Sequence, residues 1–103
     1  MPQRSAFVLR VRPEKIDDYV AVHRQVWPEM LDALREAGIR NYTIFRAGNE
    51  MFGYFESDDL DRAATFLASK EVSARWQDAM ADLLEERVPH AGPPRLEEVF
   101  RLD

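Results

Sequence analysis

Tyr19 and His23 are four residues apart, a spacing that could bring two reactive side chains together. On a helix it places a phenol and an imidazole one above the other on a single face. Ile16, Val20, Val26 and Met30 fall on or beside that face by the helical period, so the polar pair sits inside an apolar stripe. An imidazole titrates near neutrality and offers both protonation states at cellular pH, which suits proton transfer on a neutral, polar ligand. The same spacing also describes a core histidine satisfied by a neighbouring hydroxyl, and spacing alone does not separate the two readings. Just downstream, Trp27 precedes Pro28. Proline cannot continue a regular helix and pushes the residue before it toward an extended conformation. The run therefore predicts a first helix ending near residues 24–26, an indole swung out at the break, and a second helix starting on Pro28. A polar pair beside an aromatic at a helix break suggests a small-molecule pocket.

The rest of the chain must position that stretch. Residues 5–11 are rich in branched and aromatic side chains and read as a strand. Pro13 suits a first helical position, and Glu14, Asp17 and Asp18 put negative charge at the positive end of the helix that carries Tyr19 and His23. The second helical piece covers 29–37, with Gly38 as its stop signal. Residues 39–46 and 51–56 are strands joined through the four-residue link 47–50. Asp58 or Asp59 caps a helix running to about residue 68, with Leu60, Ala63, Ala64 and Leu67 on its packing face. A helix over 71–86 places Val72, Trp76, Met80 and Leu83 or Leu84 at helical spacing. Residues 88–95, with three prolines and a glycine, form a loop, and 96–102 form a last strand. The order is β-α-β-β-α-β, a ferredoxin-like α+β fold: an antiparallel sheet with helices on one face.

A length of 103 residues makes residues 1–103 one domain, and 46% hydrophobic residues suffice for a core. The net charge of −5 argues against nucleic acid or an anionic membrane as a partner, because both reward clustered cations. No cysteine is present, so there is no disulfide and no thiolate ligand or nucleophile. The N-terminus lacks the apolar run of a signal peptide and no stretch reaches membrane-spanning length, so the expected location is cytoplasmic. Glycine-rich phosphate loops, nucleophile elbows and paired metal-spaced histidines are all missing. The second histidine, His90, falls in the proline-rich loop and is expected to face solvent. A zinc site would have to draw most of its ligands from carboxylates, so no metal is expected.

Several segments together carry a family resemblance. Ala6-Phe7-Val8, Tyr19-x-x-x-His23-x-x-x-Trp27-Pro28-Glu29, Asn41-Tyr42, Arg75-Trp76 and Leu96-Glu97-Glu98-Val99-Phe100 resemble the L-rhamnose mutarotase family along nearly the whole chain. The resemblance implies a dimeric α/β barrel of ferredoxin-like domains that interconverts the α and β anomers of a deoxy sugar without a cofactor. It implies His23 as the proton donor, with Tyr19, Tyr42 and Trp76 binding the sugar. Where the family shows two adjacent tryptophans this chain has Trp76-Gln77, so Gln77 becomes a candidate sugar contact that trades apolar surface for an amide. The segment 88–94 also departs from the family's polar Asn-Pro-Asp-Asn loop.

Anomers interconvert by opening the hemiacetal ring, rotating the aldehyde and closing on its other face. Opening needs a base for the anomeric hydroxyl and an acid for the ring oxygen; an imidazole can supply one of these, and a tyrosine or water can supply the second proton transfer. Two other readings suit the same fold. One is a monooxygenase or haem-binding enzyme with His23 on iron, and the other is a non-enzymatic ligand-binding module. The sheet's second face bears on assembly. Phe45, Phe52, Tyr54, Phe55, Phe100 and Leu102 cannot all lie beneath two helical segments if strands alternate, which predicts a homodimer with sheets facing each other.

Overall fold

Three antiparallel strands and four helices account for most of the chain in a computed structural model that describes residues 2–89 and 92–103. Strand β1 (Gln3–Arg10) leads through a 3-10 turn (Pro13–Lys15) into helices α1 (Ile16–Arg24) and α2 (Pro28–Glu36). Strands β2 (Arg40–Ala47) and β3 (Glu50–Ser57) follow, then helices α3 (Leu60–Ala68) and α4 (Glu71–Ala81). The sheet order is β1-β3-β2, with β3 in the centre. Its register runs from Gln3 opposite Ser57 to Arg10 opposite Glu50 on one side. On the other it runs from Arg40 opposite Glu56 to Ala47 opposite Glu50. Among the described residues no helix is long and apolar enough to cross a membrane.

Local chemistry explains the punctuation. Trp27, held extended by Pro28 at φ −53° and ψ 130°, caps α2: its carbonyl accepts from the N–H groups of Met30 and Leu31, both at 3.0 Å. Gly38 takes φ 85° after α2, and Ile39 N–H donates back to the Leu34 carbonyl at 3.0 Å, the six-to-one bond that closes a helix end. Asp59 caps α3 by accepting from Arg62 N–H at 3.0 Å. The core gathers Val11, Tyr19, Met30, Met51, Trp76 and Met80 between the helices and one sheet face.

Four expectations need correction or limits. The β2–β3 link is tighter than four residues: only Gly48 and Asn49 lie outside the strands, and Gly48 at φ 61° supplies the positive φ that a two-residue turn needs at its first position. Helix α4 stops at Ala81 rather than 86, because the following backbone pairs with the end of β1. Arg12 N–H donates to the Leu83 carbonyl and Glu85 N–H to that of Arg10, while Leu84 bridges Val11. The last strand over 96–102 does not form a ladder. Leu96 N–H donates to the Ala6 carbonyl at 2.8 Å and Arg4 pairs with Glu98, so the segment follows the free edge of β1. Val99, Phe100 and Leu102 are all more than three-quarters exposed, and a strand with neither face packed gains little from pairing. The expectation for His90 lies outside the described residues.

Phe7 and Gly53 pair across β1 and β3 on the helix-facing side. The Phe7 ring lies over Gly53 so closely that a Cβ there would fall 2.1 Å from the ring. A glycine at 53 is therefore what lets this ring, 3% exposed, lie flat against the sheet. Gly53→Ala is expected to overpack this contact and lower stability by about 1–3 kcal/mol, read as a lower urea midpoint at unchanged slope.

Candidate active site

Helix α1 delivers His23 to the interior. Its Nδ1–H donates to the carbonyl of Tyr19 one turn earlier, at 2.8 Å. A carbonyl can only accept, so this bond fixes the proton on Nδ1 and leaves Nε2 as the basic nitrogen of the neutral ring. The Tyr19 ring stacks on the imidazole with centroids 4.1 Å apart and planes 27° from parallel. Trp76 of α4 meets the imidazole edge-on at 5.5 Å. Burial lowers the His23 pKa below its ordinary value, opposed in part by the hydrogen bond to the Tyr19 carbonyl. The ring is therefore mainly neutral at pH 7. Burial pushes the Tyr19 phenol up to about 12, so it stays protonated.

Trp27 is half-buried at the helix break rather than swung free. It packs edge-on against Trp76 at 5.1 Å, behind the surface that faces the cavity. The Arg75 guanidinium sits 6.0 Å over the Trp27 ring and pairs with Glu29 at 2.9 Å, so Glu29 is occupied at the surface.

The sheet contributes Tyr42 through a bulge. Between Arg40, opposite Glu56, and Thr43, opposite Tyr54, the two residues Asn41 and Tyr42 face only Phe55. Asn41 takes φ 52°, a left-handed conformation that asparagine tolerates better than most residues. Its side-chain amide donates to Glu56 at 3.2 Å, and Glu56 also accepts from the Tyr54 hydroxyl at 2.7 Å. These two bonds, Tyr54 first, hold the Glu56 carboxyl below its usual range. With the bulge pinned on the outer face, Tyr42 turns to the helix side, edge-on to Phe7 at 6.2 Å and tilted against Phe55 at 5.3 Å. Burial pushes the Tyr42 pKa well up, with a smaller push from Tyr19.

A cavity of about 450 Å³ lies between the sheet and the helices, and His23, Tyr42, Trp76 and Gln77 all line it. Tyr19 borders a smaller cavity of about 60 Å³ that shares His23, Tyr42, Trp76 and Gln77 as walls. Four of the five residues singled out from the sequence therefore meet at the large cavity, and the fifth holds His23 from beside it. Sequence reasoning missed Ser5, Ser73, Phe7, Phe55 and Arg95, which also line it. Ser73 was discoverable, since it precedes Trp76 and Gln77 by three and four residues on the same helix. Arg95 was not, because a proline-rich loop carries no periodic signal for where its side chain goes. Among the described residues, no cluster of three or more His, Asp or Glu side chains could hold a metal ion. The arrangement offers a neutral ligand one basic nitrogen, hydroxyl and amide hydrogen-bond partners, and aromatic faces.

The chain matches the sequence pattern of L-rhamnose mutarotase over residues 4–102. It is 38% identical to an L-rhamnose mutarotase of Pectobacterium carotovorum, covering 97% of this chain and 98% of the relative. Against that of Oceanobacillus iheyensis it is 31% identical, over 98% and 99% of the two chains. The crystal structure of an L-rhamnose mutarotase from Formosa agariphila superposes with a TM-score of 0.77 at 31% identity, covering 98% of this chain and 99% of that one. The chain belongs to the L-rhamnose mutarotase family.

Proposed function

We propose that this protein is an isomerase that interconverts the α and β anomers of L-rhamnose, with His23 moving the proton. The observation that carries the reading is the contact of His23 Nδ1 with the Tyr19 carbonyl at 2.8 Å, which leaves Nε2 as the base, while burial favours the neutral ring. Nε2 takes the proton of the anomeric hydroxyl O1 as the bond between C1 and the ring oxygen O5 breaks. The imidazolium then gives that proton to O5. Both oxygens are bonded to C1, so one nitrogen serves both in turn. After rotation about C1–C2, the reverse steps close the ring on the other face of the aldehyde. Protons and electrons balance without a cofactor.

Tyr42 and Gln77 bind the sugar's oxygens in this reading, and Trp76 packs against its C–H surface. The Tyr42 phenol, with its pKa well raised, donates a hydrogen bond without giving up its proton. Tyr19 carries His23 in place from beside the site, through its carbonyl and its stacked ring.

The working form in this proposal is a homodimer. Phe45 is 67% exposed on the sheet face away from the helices, beside the half-exposed Phe52. An apolar aromatic face of this kind is usually covered, and two-fold pairing is the commonest closed way to cover it. Phe55, by contrast, turns inward and lines the cavity.

Three outcomes are expected. NMR exchange between the anomeric signals of L-rhamnose, corrected for the buffer rate, should fall ~10²–10⁴-fold in His23→Ala, the range for losing a general acid–base group. A folded His23→Ala protein at full rate sinks the catalytic assignment. The kcat/KM profile should be flat through neutrality and fall on acidification only below the ordinary imidazole pKa of about 6.5, because protonation removes the base and burial has lowered its pKa. An acid limb centred above that value contradicts a buried, neutral His23. Light scattering at low micromolar concentration should give twice the 12.0 kDa chain mass, and Phe45→Glu should return the chain toward monomer. A monodisperse wild-type monomer refutes the dimer.

A further inference from the structure

Two polar side chains in the cavity have no hydrogen-bond partner among the described residues. Ser5 is 6% exposed and Ser73 is 4% exposed, and both line the large cavity. Among the described residues neither hydroxyl is hydrogen-bonded to protein, yet neither oxygen is sealed away from the cavity space. The third buried serine differs: Ser57 accepts from Asp59 N–H at 3.2 Å. A buried hydroxyl normally has a partner, and leaving it unpaired costs free energy. Ser5 and Ser73 therefore face whatever enters.

Their placement says where on a ligand they act. Ser73 lies one turn before Gln77 on α4, roughly 6 Å along the helix axis, and shares its face with Trp76. Ser5 lies two residues before Phe7 on the inner face of β1, directly across from Phe55. The neighbouring wall from α3, with Leu60, Ala63 and Leu67, is apolar. The one permanent cation among the described lining residues is Arg95, and its guanidinium is engaged by Asp61 at 3.2 Å. This end of the cavity therefore suits neutral hydroxyls, not a phosphate or carboxylate, which would need an uncommitted cation.

We propose that Ser5 and Ser73 bind the hydroxyls on the side of the sugar ring away from C1 and so select among deoxy sugars. The assignment rests on the mutarotase reading. With C1 at His23, a pyranose lying along α4 carries O3 and O4 one turn away, toward Ser73, with Ser5 facing them from the sheet. A hydroxyl both donates and accepts, so each serine can complete a bond to a sugar hydroxyl of the right configuration. An epimer that turns its hydroxyl away leaves the serine unpaired, and a site with unpaired buried polar groups discriminates strongly.

The test uses L-rhamnose and L-fucose, which differ in configuration at C2 and C4. Anomer exchange is measured by NMR for the wild type, Ser5→Ala, Ser73→Ala and the double variant. Each single change should raise KM for L-rhamnose roughly 2- to 10-fold, more than it changes kcat, as expected for one lost uncharged hydrogen bond. The double variant should shift the rhamnose-to-fucose ratio of kcat/KM by at least ~3-fold, with thermal unfolding as the check that it remains folded. A purely structural role for the serines moves the melting temperature but not that ratio. If KM and the sugar ratio of the folded double variant match the wild type, the assignment is overturned while the mutarotase reading stands. If the wild type exchanges neither sugar faster than buffer, the mutarotase reading fails and this assignment falls with it.

Discussion

One hydrogen bond, from His23 Nδ1 to the Tyr19 carbonyl at 2.8 Å, sets the state of the site, and much of the structure exists to keep it. The carbonyl is available because α1 is regular from Ile16 to Arg24, where it already accepts in the helical ladder and has a second lone pair for the imidazole. The bond alone favours the protonated ring. Burial opposes that and prevails, so the pKa falls. Burial here means Tyr19 stacked on one side and the edge of Trp76 at 5.5 Å on another. The geometry of a helix turn and the packing of two aromatic rings thus decide which nitrogen is basic and when.

The helix break and the sheet support that arrangement from two directions. Pro28 ends any continuation of α1 and fixes Trp27 extended; its indole then backs Trp76 at 5.1 Å and keeps that ring against His23. On the sheet side, Gly53 lets the Phe7 ring lie flat over β3, and the bulge at Asn41 and Tyr42 turns a phenol toward the same space. Neither device is efficient as pure sheet structure. A glycine in a central strand and a residue at positive φ both weaken a ladder. Both are comprehensible once the inner face must enclose a cavity instead of a solid core.

How much of this was legible in the sequence depended on the range of the physics involved. Local signals worked: Pro28 and Gly38 bound α2, Asp59 caps α3, and the spacing of Tyr19 and His23 placed both on α1. His23 was marked by its spacing from Tyr19, whereas Tyr42, Trp76 and Gln77 were singled out only through the family resemblance, and the bulge that turns Tyr42 inward left no periodic signal. Long-range competition was not legible. The end of α4 is decided by Leu83, Leu84 and Glu85 pairing with the end of β1, more than seventy residues away, and helical periodicity through Leu84 gave no sign of it. The fourth strand had the right alternation but nothing to pack against along the β1 edge, where Phe100 is 77% exposed. Alternation reports which side chains can share a face, not whether that face is met. The buried serines were invisible for a similar reason, since a serine in a strand or helix looks the same whether its hydroxyl meets backbone, water or a ligand.

The choice of partner for His23 bears on the proposed chemistry. Many catalytic histidines are oriented by a carboxylate, whose charge raises the imidazole pKa and stabilises the protonated ring. Here no carboxylate lines the cavity among the described residues, and the orienting group is a neutral carbonyl. For a relay in which one nitrogen takes a proton from O1 and soon returns it to O5, a strongly stabilised imidazolium would be a trap: it would accept readily and release slowly. A carbonyl fixes the tautomer while stabilising the protonated ring less than a full charge would, and burial outweighs that stabilisation. Burial raises the pKa values of the Tyr19 and Tyr42 phenols, so they hold their protons. One group in the site is then left to take up and release a proton. A neutral sugar and an exchange that neither gains nor loses a proton overall require no more than that.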